Sequence, residues 1–270
     1  MKELLLSLAT EQPDPFRKRS IAREYLQART LLALQDSGAF TNWAFVGGTA
    51  LRFLFHLPRY SEDLDFSLDR PSSDPRFRAH MRSVKFDLAA EGYDVEIKAR
   101  EGSAVAAAFI KFKGLLHELG VSPHADEVLS VKVEIDANPP AGAALETRIV
   151  RRFVMLNLLH YDRASLFAGK LHAVLSRKYT KGRDLYDLAW YLSDPEWPEP
   201  NLVLLDNALK QTGWKGEPPR SSNWRTLVRR KLDQVDWQRA IDDVAPFLER
   251  PQDRDLISAD TFRKLLKSTN

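Results

Sequence analysis

The spacing of apolar positions changes partway along the chain. Over residues 15–36, Ile21, Tyr25, Leu26, Leu31, Leu32 and Leu34 form a broad apolar stripe at helical spacing, and Ser37-Gly38 closes it. "WAFVG" is a short apolar run that predicts a buried strand, and Thr49 to Phe55 predicts a short helix stopped by Pro58. "DLDFSL" alternates and predicts a strand, leading into a "DRPSSDP" loop and a helix over 75–90. "YDVEIKA", "AVAAAFIKFK" and "VLSVKVEIDA" predict three further strands, and "TRIVRRFVMLNLL" another. Past Tyr161 the β-rich runs stop. "ASLFAGKLHAVLSRKYTKGRDLYDLAWYLS" is helical in spacing, "DPEWPEP" is a turn or linker, and residues 201–250 are helical with a polar break at "GWKGEPPRSS". The pattern predicts an α+β chain: an α/β domain with a mixed sheet over residues 1–160, then a helical domain over 161–270.

Composition adds limits. The 270 residues are 44% hydrophobic and 29% charged, ordinary for a soluble globular protein. With no cysteine, disulfides and thiolate metal sites are excluded, which fits a reducing cytoplasm. No stretch approaches the roughly 18 apolar residues of a membrane span, and the apolar run in "MKELLLSLATEQPDPF" is too short for a signal sequence, so no membrane partner is expected. A net charge of +3 and a pI near 9.0 hint only weakly at a polyanion. The basic clusters "FRKRSIAR", "SRKYTKGR" and "VRRKLDQ" read first as solvated helix faces.

The candidate chemistry lies in "VGGTALRFLFHLPRYSEDLDFSL". Gly47-Gly48-Thr49 at a strand-to-helix turn lets backbone N–H groups approach an anion at a helix N-terminus. It is neither a Walker loop nor a dinucleotide fingerprint, since G-K-[ST] and G-x-G-x-x-G are both missing. Asp63 and Asp65, two apart on a strand, point to one side while Leu64 and Phe66 point to the other. Paired carboxylates repel unless a cation neutralises them, and Mg²⁺ is the natural hard cation. A solvated acidic strand end is the plainer alternative. In "VKVEIDA", Lys132, Glu134 and Asp136 share a face opposite Val131, Val133 and Ile135, so a second strand could supply the third carboxylate of a two-metal site. Six scattered histidines lack zinc spacing. His56 packs or caps, and the late tryptophans belong to core and interface rather than to a base-stacking platform.

Together, the Gly-Gly turn, the D-x-D strand and the later h-E-h strand resemble the DNA polymerase β-like nucleotidyltransferase superfamily. The closer resemblance is to the AbiEii-type nucleotidyltransferase toxins, which include the MenT toxins. It is carried by "EYLQARTLLAL", by "FVGGTALRFLFHLPRYSEDLDFSL" and by "GKLHAVLSRKYTKGRDLYDLAWYL", and covers most of residues 20–192. The resemblance implies that Gly47, Gly48 and Thr49 hold phosphate oxygens, and that Arg59 and Ser61 steady the turn or the triphosphate. Asp63 and Asp65 would bind Mg²⁺, with Glu134 as third carboxylate and Asp136 as its fallback. Lys170 would contact the triphosphate, with Arg183 beside it, and Asp184 matches the family's functional acid; Asp187 is the structural member. Without the resemblance, Lys170 and Asp184 read equally well as a surface ion pair on adjacent helices.

The implied activity is transfer of NMP from an NTP to an RNA acceptor, the tRNA 3′ end in this family, blocking translation. A cognate antitoxin is the implied protein partner. Two other classes stay open: a Mg²⁺ nuclease of the D…E-x-K type, using Glu96 and Lys98 with Asp87 and Asp65, and a non-catalytic binding protein with a decayed site.

Overall fold

The computed structural model describes residues 2–71, 75–102 and 104–267. In chain order the elements are α1 (Lys2–Thr10), α2 (Pro15–Asp36), β1 (Trp43–Val46), α3 (Gly47–Phe55), β2 (Asp63–Leu68), α4 (Phe77–Ala90), β3 (Val95–Glu101), β4 (Val105–Phe112), α5 (Leu115–Glu118), β5 (Leu129–Asp136), β6 (Leu145–Arg152) and β7 (Val154–Tyr161). Helices follow: α6 (Arg163–Ser176), α7 (Gly182–Ser193), α8 (Leu202–Gln211), α9 (Trp224–Leu232), α10 (Trp237–Val244) and α11 (Ala259–Leu265). Of the expected "DRPSSDP" loop, residues 72–74 lie outside the described residues. The chain divides into two compact units. The first is Met1–His56, Tyr60–Pro139 and Glu146–His160; the second is Leu57–Arg59, Pro140–Leu145 and Tyr161–Asn270.

The first unit is built on a seven-stranded mixed sheet of order β3-β4-β5-β2-β1-β7-β6. Strand β2 runs antiparallel to β1 and parallel to β5, while β4 is antiparallel to both β3 and β5. The alternation in β5 sets its faces. Leu129, Val131, Val133 and Ile135 are buried, and the four residues between and after them are half-buried on the opposite side. Each such apolar side chain stabilises the sheet by roughly 1.5–3 kcal/mol, so a one-residue register slip is strongly disfavoured. In β2, Leu64, Phe66 and Leu68 are buried, with the Phe66 ring 5.3 Å from that of Phe45.

Helix α2 begins where Asp14 caps it, accepting from the Arg17 N–H at 2.9 Å, with Pro15 in the first turn. Its burial is broader than an apolar stripe. Glu24 is 1% exposed and accepts from Arg52 of α3 at 2.7 Å and from Arg152 of β6. A buried charge is tolerable only when paired in this way.

Helix α3 ends at Phe55, as expected, where His56 takes the left-handed conformation (φ 59°) and its N–H caps the Leu51 carbonyl; it begins at Gly47, two residues before the expected Thr49. One strand expectation needs correction. The single strand expected over "TRIVRRFVMLNLL" is two strands. Phe153 between them has φ 61°, and its ring sits edge-on to Tyr25 at 5.5 Å; that anchorage compensates for the unfavourable backbone.

In the second unit, side chains of Asp162, Asn201, Asp236 and Ser258 cap α6, α8, α10 and α11. Leu57–Arg59 joins this unit through a bridge from Arg59 to Leu248. Gly182, at the start of α7, lies so close to α10 that a Cβ there would overlap the Ala240 carbonyl oxygen. Gly182→Ala is therefore expected to lower the melting temperature by several degrees, overpacking of this kind costing about 1–3 kcal/mol or more. A melt equal to wild type would mean that the two helices stand apart.

Candidate active site

The acid pair sits at the start of β2, and the register of the sheet decides what faces it. Asp63 lies opposite Lys132 and Asp65 opposite Glu134, all on the half-buried face. On the other side of β2, Asp65 pairs with Val46, the last residue of β1. The chain turns there into α3. Gly47 has φ 79° and lies so close to Asp65 that a Cβ on it would stand 2.6 Å from Asp65 Oδ2. Glycine is required twice over: by the backbone conformation and by the closeness of the carboxylate. Val46, at the N-cap of α3, offers no side-chain acceptor, so the first N–H groups of α3 lack side-chain capping.

Thr49 uses its side chain within the framework. It is fully buried and its hydroxyl donates to the Asp63 carbonyl, tying α3 to the first residue of β2. Its hydroxyl is thus committed to the framework, and any phosphate contact from this residue falls to its backbone N–H. Ser61 is half-buried, and its carbonyl accepts from Gln27 Nε2 at 3.1 Å.

The three expected metal-binding carboxylates share one face but do not converge. Among the described residues, no group of three or more His, Asp or Glu is gathered closely enough to hold a metal ion. Glu134 is instead paired with Lys132, whose ammonium forms an ion pair with it. Its hydrogen bond to Glu134, followed by the charges of Glu134, Asp63 and Asp65, holds the ammonium above the ordinary lysine pKa despite partial burial. The oxygen donors suit a hard divalent cation. Asp63 and Asp65 would hold it, and Glu134 would complete the set once released from Lys132. Asp136 is less suitable. It lies one step further along, opposite Ser67; burial pushes its carboxyl up, and its Oδ1 already accepts from the Asn138 N–H at 2.9 Å. Lys132 was visible in "VKVEIDA" but given no role, although its spacing two residues before Glu134 puts it on the acid face.

The remaining candidates gather in the second unit. Arg59 is 2% exposed and grips Asp187 with two bonds of 2.6 Å, Nε to Oδ1 and Nη2 to Oδ2. The guanidinium that the resemblance assigns to the turn or the triphosphate is thus bonded to Asp187. Lys170 of α6 reaches Asp184 and Asp187 of α7, each at 2.8 Å. Arg177 pairs with the other oxygen of Asp184, and the Arg177 carbonyl accepts from Lys231 at 2.6 Å. Arg183 lies over the Phe247 ring, 4.4 Å from its centre. These groups form a ladder of alternating charge rather than a lone surface pair.

Burial alone would push the Asp187 carboxyl up, but Arg59 and then Lys170 hold it below the usual carboxylate range. Asp184 is likewise held down against burial by Lys170 and Arg177. A folded-state pKa below the unfolded one means stability that is present above about pH 4 and is lost as the pH falls through the folded value. The melting gap between wild type and Asp187→Asn is therefore expected to be widest near neutral pH and to narrow below about pH 4 in thermal melts. A gap independent of pH would mean that Asp187 is not ionised in the fold.

The other chemistry raised by the sequence is not assembled. Glu96 and Lys98 lie on β3, which β4 and β5 separate from β2, on the order of 14 Å at normal strand spacing. Glu96 is also taken up by Lys98 at 3.3 Å and Lys113 at 2.9 Å, so the D…E-x-K arrangement is not formed. In the basic run of α2, Arg19 pairs with Glu127 and Arg23 with Glu62. Among the described residues, no helix is long and apolar enough to cross a membrane.

Solved structures of similar fold were found. A Helicobacter pylori protein crystallised as a candidate nucleotidyltransferase is 16% identical, with 92% of this chain and 94% of that chain covered and a TM-score of 0.53. JHP933, also from Helicobacter pylori, is 16% identical, with 92% and 91% covered and a TM-score of 0.52. MenT4, a nucleotidyltransferase toxin from Mycobacterium tuberculosis H37Rv, is 16% identical, with 98% and 99% covered and a TM-score of 0.51. At such identity these likenesses speak to the fold alone. No curated protein matches the chain. The sequence profile described as "Nucleotidyl transferase AbiEii toxin, Type IV TA system" matches residues 29–267, and on that match, spanning most of the sequence, the chain belongs to the AbiEii nucleotidyl transferase toxin family.

Proposed function

We propose that this protein is a toxin that transfers a nucleoside monophosphate from an NTP to the 3′ hydroxyl of an RNA, with the tRNA 3′ end as the acceptor. The observation that carries the reading is the packing of Gly47 on Asp65, which sets an acid pair beside the N-terminus of α3. Backbone N–H groups of Gly47, Gly48 and Thr49 receive phosphate oxygens at the positive end of that helix. Asp63 and Asp65 would hold Mg²⁺, joined by Glu134 once Lys132 releases it. When bound, the ion supplies charge neutralisation for the triphosphate and lowers the pKa of the acceptor hydroxyl. In the transfer the RNA hydroxyl loses its proton to water, its oxygen bonds to the α-phosphorus, the bond from the α-phosphorus to the oxygen bridging to the β-phosphate breaks, and pyrophosphate leaves with that oxygen. The chain's part is to position these groups and to stabilise charge. A cognate antitoxin, encoded separately, restrains the activity in the cell.

Incubation of the protein with Mg²⁺, α-labelled NTPs and total tRNA tests this directly. Label entering tRNA without loss of length is expected. Shortened, unlabelled RNA would replace the reading with nuclease activity, and unchanged RNA and NTP would leave only a binding role. Label entering a different RNA or a protein would retain the transfer chemistry and overturn the acceptor.

A further inference from the structure

Two rows of side chains cross the acid face. One runs Phe109, Lys132, Asp63 across β4, β5 and β2; the next runs Ala107, Glu134, Asp65. On the β4 side Phe109 and Ala107 are uncharged and Lys111, diagonal to Lys132 across from Ser130, is cationic, so among the described residues of this face the acids near Lys132 lie along its own strand and on β2. It pairs with Glu134, with 28% of the Lys132 side chain and 36% of the Glu134 side chain exposed. Adjacent strands lie about 4.8 Å apart, which places its ammonium within range of the same carboxylates that would receive a cation.

We propose that Lys132 is a built-in counter-ion that competes with a divalent cation for Glu134, so that the free protein binds such a cation weakly. The inference rests on the proposed function, in which Asp63, Asp65 and Glu134 are the carboxylates of a metal site. Two consequences follow. The face keeps three acids folded together without a metal, because one positive charge offsets part of their repulsion. Glu134 becomes a ligand only when it changes partner, so assembly of the full set is coupled to whatever displaces the ammonium. A triphosphate, which brings four negative charges to the mouth of α3, would offer Lys132 another partner.

The test uses Mn²⁺ alone as the probe, with the full chain and no nucleotide, reading free Mn²⁺ by electron paramagnetic resonance. Lys132→Met removes the charge and keeps the stem. Its Mn²⁺ dissociation constant is expected to be at least tenfold below that of wild type; Lys132→Arg should stay near wild type, and Lys132→Met/Asp65→Asn should lose the gain. Equal or weaker binding by Lys132→Met overturns the proposal. If wild-type binding still depends on Asp65, only the role of Lys132 fails. If neither wild type nor Lys132→Met binds Mn²⁺ in an Asp65-dependent way, the metal reading of the site fails with it. Should Lys132→Met fold poorly, Lys132→Gln takes its place. Melting adds a second readout. A counter-ion role predicts a lower melting temperature in chelator and a larger rise on adding Mg²⁺ than in wild type, whereas a purely structural role lowers both alike.

Discussion

Asp65→Asn should lower label transfer by about 10³-fold or more while leaving the melting temperature at or above that of wild type. Loss of one preorganised charge-stabilising group commonly costs about 10²–10³ in rate, and here the same change also removes a candidate metal ligand. Stability should not suffer, because Asp65 stands opposite Glu134 and beside Asp63, and removing one of three clustered negative charges relieves repulsion. Gly47→Ala reaches the same atom from the other side. Its Cβ would stand 2.6 Å from Asp65 Oδ2, so the carboxylate must shift, and the φ of 79° adds about 1–2 kcal/mol of strain. Gly38→Ala separates the two effects, since Gly38 has φ 80° and nothing within 4 Å of an added Cβ. It should melt lower, as Gly47→Ala does, and keep its activity. Retention of more than a tenth of the activity by Asp65→Asn would remove the acid pair from the chemistry.

The second large effect is on stability. Arg59→Met should cost about 3–5 kcal/mol, because it leaves the fully buried Asp187 with Lys170 as its remaining partner. At roughly 2–4 °C per kcal/mol, that is a fall on the order of 10 °C in melting temperature. Arg59→Met/Asp187→Leu should recover part of the loss, since removing both charges leaves neither stranded. A single variant that melts like wild type would show that the pair contributes nothing net.

Much of this was legible because it rests on local rules. "DLDFSL" and "VLSVKVEID" alternate with period 2, and both strands lie where that alternation puts them. The glycine turn was readable as a turn, since Gly47 needs a positive φ. Cross-strand register was not readable. Nothing local says that Asp65 meets Glu134 rather than Asp136, since both stand on the same face of β5 and only the pairing of β2 with β5 chooses. The role of Arg59 was hidden for a similar reason. In R-x-S-x-D its closeness in sequence suggested the turn, whereas its partner Asp187 lies 128 residues away. Charge on α2 misled in the opposite sense. Glu24 directly follows the basic run "FRKRSIAR", which reads as solvated, but it is buried and its partners Arg52 and Arg152 come from elements distant in sequence.

The second unit is not a continuous piece of chain, and this has a practical result. A polypeptide cut at residue 160 would carry α6 to α11 but neither Leu57–Arg59 nor Pro140–Leu145. It would lack the guanidinium that meets Asp187, the chain that bridges to Leu248, and the carbonyls of Ala141 and Gly142 that accept from Asn207 and Asn201. The helical half is therefore expected to be unable to fold by itself. Its threading through the earlier sequence makes domain swapping, truncation and independent inheritance of the two halves poor routes to a working protein.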